Sequence, residues 1–175
     1  GIEDFIALTL LDCNNNQLDT LDVTHNTALT TLNCYVNQLT SLDLSNNTAL
    51  TYLNCYDNLL IDINLNPNLE FLECSWNQLT SLDLSNNISM LYLKCSYNQL
   101  TSLDVRNGNN TNFNYFNATN NANLTCISVD DADWSATNWP NIDPASSFGI
   151  TCSPEPGYTH VPDDNFEQAL INLGY

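Results

Sequence analysis

The sequence predicts a leucine-patterned β-solenoid, mostly β, with two short parallel strands in each 21-residue coil and little helix. Three observations carry this. A phrase of about 21 residues recurs five times: Leu8–Ala28, Leu29–Ala49, Leu50–Asn68 (two residues short), Leu69–Ser89, and a copy opening at Met90. Inside each copy, apolar residues alternate with polar ones at a period of two, which is a strand rhythm. One coil cannot bury enough apolar surface to order itself, so the copies must stack and fold as an array.

The coils follow in order. Residues 1–7 read as the tail of a coil, with Ile2 standing where Val23 stands one period later and Ala7 where Ala28 does, so the chain is expected to be a piece of something longer. In the first phrase of each copy Leu53 and Cys55 should point inward, and Tyr52, Asn54 and Tyr56 outward. In the second phrase Leu42 and Leu44 go in, and Ser41, Asp43 and Ser45 go out. Asn16, Asn37, Asn58, Asn77 and Asn98 each lie three residues after a Cys, where a turning backbone needs side-chain partners. Pro67 shortens the third copy to a tighter corner. After Arg106–Asn110 a sixth, degenerate coil begins, with Phe113, Phe116 and Ala118 in the leucine and cysteine positions.

The paired phrases L-x-x-L-x-C-x-x-N-x-L and T-S-L-D-L-S-x-N resemble the leucine-rich repeats, in particular the short bacterial class, with Cys at the third apolar position. The resemblance covers about residues 1–130 and implies an interaction scaffold. The expected organisation is a solenoid of about six coils over 1–129, a C-terminal cap over 130–152, a linker over 153–162, and a short helix over 163–175. Trp134, Trp139, Ile142 and Phe148 are bulky enough for the cap to hide the last coil. In the last segment Phe166, Ala169, Leu170 and Leu173 share one helical face, with Gly174 as a stop. That segment resembles the opening of surface and secreted repeat adhesins of the Bacteroidetes, which implies a following module and neighbouring copies as partners, in tandem or in a filament.

Composition excludes several functions. Two Lys and Arg against 20 Asp and Glu give a net charge of −18, so nucleic acid and anionic membranes are electrostatically disfavoured partners. No apolar run is long enough for membrane insertion. His25 and His160 have no nucleophile beside them and no Gly-rich phosphate loop occurs, so an enzyme is not expected.

The cysteines fall into two groups. Cys13, Cys34, Cys55, Cys74 and Cys95 form an inward column without the close pairs of a zinc site, and parallel neighbours point their sulfurs the same way, so buried thiols are expected. Cys126 and Cys152 bracket the cap, and a disulfide between them implies an oxidising, extracellular compartment, secreted or cell-surface. Two outward columns are candidate sites. Asp22, Asp43, Asp83 and Asp104, with Asn64 in the third coil, are either solvated carboxylates or a site for calcium. Tyr52, Phe71, Tyr92 and Tyr115 form one aromatic column; Tyr35 and Tyr56 lie in another, with Trp76 and Tyr97 just beyond. Such aromatics suit a glycan or a surface protein, or else stack on one another and only join coils. The chain therefore reads as an extracellular structural or adhesive repeat module of a long cell-surface or filament protein, or alternatively as a glycan- or protein-binding module using that aromatic face.

Overall fold

The computed structural model describes residues 1–152. It is a parallel-strand solenoid of leucine-rich-repeat architecture with two sheets back to back over one core. The first sheet runs without interruption through six strands: β1 (Leu10–Asp12), β2 (Thr31–Asn33), β3 (Tyr52–Asn54), β4 (Phe71–Glu73), β6 (Tyr92–Lys94) and β8 (Tyr115–Asn117). Register is strict: Leu11, Leu32, Leu53, Leu72, Leu93 and Phe116 lie opposite one another in turn. Leu32, Leu53, Leu72 and Leu93 are fully buried, while the strand residues on either side of each face outward, as the period of two requires.

The second sheet is shorter than the expected two strands per coil. Its strands are β5 (Ser81–Asp83), β7 (Ser102–Asp104), β9 (Cys126–Ser128) and β10 (Ser147–Gly149), all from the fourth coil onward. In the first three coils the second phrase keeps its inward leucines but only one bridge, Asp43 to Asn64. No backbone hydrogen bond joins Ile61–Leu65 to Thr80–Leu84. The third coil loses its two residues at the corner beside Pro67, so its second phrase stays with the second coil and parts from the fourth. A cleft of about 620 Å3 lies there, lined by Asp62, Asn64, Pro67 and Asp83 among others.

Residues 130–152 do not leave the repeat. Ser147–Gly149 pairs with Cys126–Ser128 at a spacing of 21, so this stretch forms a seventh turn in the second sheet. In place of a seventh first-sheet strand stands a helix, α1 (Ala132–Asn138), whose N-cap Asp131 accepts from Trp134 N–H. Trp139 is buried, stacks on Phe116 at 4.2 Å and meets Trp134 edge-on, while Trp134, Ile142 and Phe148 pack against the end of the core. Cys126 and Cys152 are joined by a disulfide. The linker and helix expected over 153–175 lie outside the described residues.

Two columns of Asn tie coil to coil. Asn77 donates from Nδ2 to the carbonyls of Cys74 (3.1 Å) and of Cys55 in the preceding coil (3.0 Å), and its Oδ1 accepts from Leu60 N–H (2.9 Å). Asn37, Asn58, Asn98 and Asn121 repeat the pattern. At the other corner Asn47 donates to Val23 and Asn26, Asn87 to Asn66, and Asn107 to Asn87. Sequence reasoning placed the Asn at corners; the structure adds that they bond across coils as well as within them.

Candidate functional site

The outward face of the first sheet carries three bands. One edge is a ladder of rings: Tyr52 on Phe71 at 4.2 Å, Phe71 on Tyr92 at 4.2 Å, and Tyr92 on Tyr115 at 4.8 Å, within 10–16° of parallel. In-register strands about 4.8 Å apart place identical positions at ring-stacking distance, so an aromatic column stacks by construction. The stacking covers ring faces and leaves mainly edges to solvent. Burial raises the Tyr52 and Tyr92 phenols, and the Glu73 charge adds to this.

The middle band is Asn54, Glu73, Lys94 and Asn117. Lys94, the single lysine of the chain, pairs with Glu73 at 2.9 Å and stands 5.8 Å from the Tyr56 ring centre. Glu73 is itself held by Ser75 N–H at 3.1 Å. Burial presses the Lys94 pKa down, but its hydrogen bond and attraction to Glu73 outweigh this and the net shift is upward. Tyr35 and Tyr56 are half-buried in the next column; in the following two coils Ser75 and Ser96 occupy it, hydroxyl to hydroxyl at 2.9 Å.

The third band is the corner ridge, and sequence reasoning did not see its geometry. Asn15, Val36, Asp57, Trp76, Tyr97 and Asn120 all have φ between +53 and +60°. The left-handed conformation suits Asn and Asp, whereas a bulky or β-branched residue there is strained. The corner is imposed by bonds between coils: Trp76 N–H donates to Ser96 O at 3.0 Å and Tyr97 N–H to Thr119 O at 3.0 Å. Asn and Asp at positions 15, 57 and 120 were the available signal. Trp76 and Tyr97 stack on each other at 4.3 Å, yet remain 50% and 44% exposed. The expected aromatic candidates thus divide into a ladder (Tyr52, Phe71, Tyr92), an exposed pair (Trp76, Tyr97), and Tyr35 and Tyr56 between them.

The acidic column places one carboxylate in each of the first, second, fourth and fifth coils. Among the described residues no group of three or more His, Cys, Asp or Glu is placed to hold an ion. Each carboxylate instead serves its own turn: Asp22 accepts from Thr24 N–H and hydroxyl, Asp43 from Ser45 N–H, Asp83 from Ser85 N–H, and Asp104 from Arg106. Hydrogen bonds from Thr24, Ser45 and Arg106 hold Asp22, Asp43 and Asp104 respectively below the usual carboxylate range. The free cysteines are Cys13, half-buried, and Cys34, Cys55, Cys74 and Cys95, all buried.

No helix among the described residues is long and apolar enough to cross a membrane. No protein-family model and no curated protein matches the chain. Among solved structures, the chain is similar to the functional domain of InlJ from Listeria monocytogenes, which includes a cysteine ladder. The likeness is 28% identical with a TM-score of 0.42, and it covers 74% of this chain and 40% of that one.

Proposed function

We propose that this chain is an adhesive module of an extracellular, cell-surface protein: a stiff solenoid that spaces its neighbours and docks a protein partner on the first-sheet face. The observation that carries the docking is the Trp76–Tyr97 pair. Two large aromatics sit in a strained backbone conformation and remain half exposed, so neither conformation nor burial accounts for them. Strain of this kind concentrates at functional sites, and Trp and Tyr are the residues most often found at the centre of protein interfaces. The Lys94–Glu73 pair, in the middle band of the same sheet face, supplies an oriented charge for register. The disulfide at the C-terminal end supports an oxidising compartment. The ladder serves the spacer role, because its rings stack in a run of four that joins coil to coil and are less exposed than Trp76 and Tyr97.

The test is a Trp76→Asn/Tyr97→Asn double variant on a panel of immobilised matrix and bacterial surface proteins. Asn is at home in the left-handed conformation, so the variant should lose capture while its melting temperature holds or rises. Capture unchanged from the parent chain would sink the docking reading and leave the spacer role alone.

A further inference from the structure

The self-stacked ladder has a free end. Tyr115 stacks on Tyr92 through one face, and in the next turn α1 replaces the strand that would have carried another ring. A cleft of about 330 Å3 opens there, with Tyr115 and Trp134 in its walls. Its polar lining is Thr111, Asn114, Asn138 and Asn141, and no residue lining it is charged. In a chain with 20 carboxylates and a net charge of −18, an uncharged cleft is set apart from the rest of the surface.

The walls are already held in place. Asn138 Nδ2 donates to Trp134 O at 2.8 Å, Asn141 Nδ2 donates to Phe116 O at 3.3 Å, and Asn141 O accepts from Ala118 N–H at 2.9 Å. Those bonds fix the two amides through their nitrogens, which leaves Asn138 Oδ1 and Asn141 Oδ1 as acceptors. Asn114 and Thr111, both exposed, add a donor–acceptor amide and a hydroxyl. Aromatic side chains with a few convergent neutral hydrogen-bonding groups are what a small polar ligand with an apolar face requires.

We propose that this cleft is a subsite for a neutral pyranose, with the sugar's C–H face on Tyr115 and Trp134 and its hydroxyls on Asn114, Asn138 and Asn141. This goes beyond the protein-docking reading, uses none of its residues, and stands if that reading fails. It also relocates the sugar-binding expectation: the ladder's faces are covered along its length, and a face comes free where the stack stops.

The experiment is a two-dimensional NMR titration of the whole chain with the methyl glycosides of glucose, galactose, mannose and N-acetylglucosamine, and with glycerol as a ringless polyol. At least one glycoside should shift the Trp134 indole N–H and the amides of residues 111–116 and 138–141, with glycerol silent. Asn114→Ala, a change at an exposed side chain, should weaken that glycoside about tenfold, the loss of one good contact, with the spectrum otherwise unchanged. Tyr115→Thr should abolish the shift, and retained binding in Tyr92→Thr would show that ladder continuity is not the cause. The proposal is overturned if no glycoside shifts these signals at tens of millimolar, if glycerol shifts them equally, if the shifts gather at Trp76 and Tyr97, or if Asn114→Ala binds as the parent does.

Discussion

The two sheets stack over the same leucines, yet one is continuous and the other is broken. Every coil from the first to the sixth contributes a strand to the first sheet, while the second is regular only from the fourth coil onward. The difference lies in what flanks the strands. Beside the first sheet, two residue types repeat through five coils at fixed positions: Cys inside and, three residues on, Asn at the corner, which from the second coil to the fifth bonds back to the Cys carbonyls of two coils. That lattice outlasts changes in the outward residues, from Thr31 through Phe71 to Tyr115. Beside the second sheet the carboxylates bond within their own turns, and the corner that follows varies in length. The Asn column at that second corner is just as buried, but the shortened third coil interrupts it: Asn47 donates back to Val23 and Asn26 and Asn87 to Asn66, whereas Asn66 donates to Leu50 O and not to the Asn47 corner. A buried polar column holds coils in register only where its spacing is kept.

The same distinction explains what could be read in the sequence. The coil period, the inward register of Leu53 and Cys55, and the corner role of Asn77 follow from repetition, and repetition is visible in one sequence. The left-handed corner was hidden because the chain carries Val36, Trp76 and Tyr97 where conformation favours Asn. The seventh turn was hidden because α1 replaces the leucine phrase and only Ser147–Gly149 keeps the spacing. The free end of the ladder depends on that substitution, so the cleft beside Tyr115 was not legible from the ring column itself.

The comparison should break most visibly in alkali. Burial raises the thiols of Cys34, Cys55, Cys74 and Cys95, the last to about 12, and all four lie behind the first sheet. An unfolded thiol titrates at about 8.5. The unfolded state therefore loses its protons first, so stability is intact below about pH 8.5 and falls as pH climbs from there toward the folded values. Each thiol contributes about 1.4 kcal/mol per pH unit and four together about 5 to 6. Thermal melts at closely spaced pH should show this slope, and Cys74→Ala should reduce it by about a quarter, whatever the variant costs at neutrality. The equivalent inward residues of the second sheet, Leu44, Leu84 and Val105, do not titrate. A melting temperature flat from about pH 8 to pH 10 would contradict neutral burial of the column.

A smaller effect tests the corner. Asn77→Ala removes donated bonds to the carbonyls of Cys55, Cys74 and Ser75 and one accepted bond from Leu60 N–H, all in a buried setting, and should cost about 2–4 kcal/mol. Asn16→Ala, at the same position in the first coil, removes bonds to Cys13 and Asn14 only and is solvent-exposed, so it should cost under about 1 kcal/mol. Urea unfolding of both variants measures the ratio. Similar losses would mean that the Asn act within coils and not between them.

The smallest effect belongs to the second sheet and has a sign that decides its chemistry. Asp83 faces Asp104 across β5 and β7, and its Oδ1 accepts from Ser85 N–H at 2.9 Å. Asn presents the same carbonyl oxygen to that N–H, so Asp83→Asn keeps the turn and removes one of two like charges opposite each other. In a chain of net charge −18 the variant should be more stable, by no more than about 0.5 kcal/mol, and the gain should vanish as salt screens the column. Asp104→Asn should move the other way, because Arg106 holds that carboxylate through Nε at 3.0 Å and keeps its pKa low. The stability from Asp104 is present above the ordinary carboxylate pKa of about 4 and fades as pH falls through the lowered folded value, so the two variants should converge in acid. A calcium site would reverse the first result. Millimolar calcium would then raise the melting temperature of the parent chain, and Asp83→Asn would forfeit that rise. With each carboxylate engaged in its own turn and no cluster of three among the described residues, calcium should leave both melting temperatures where they are.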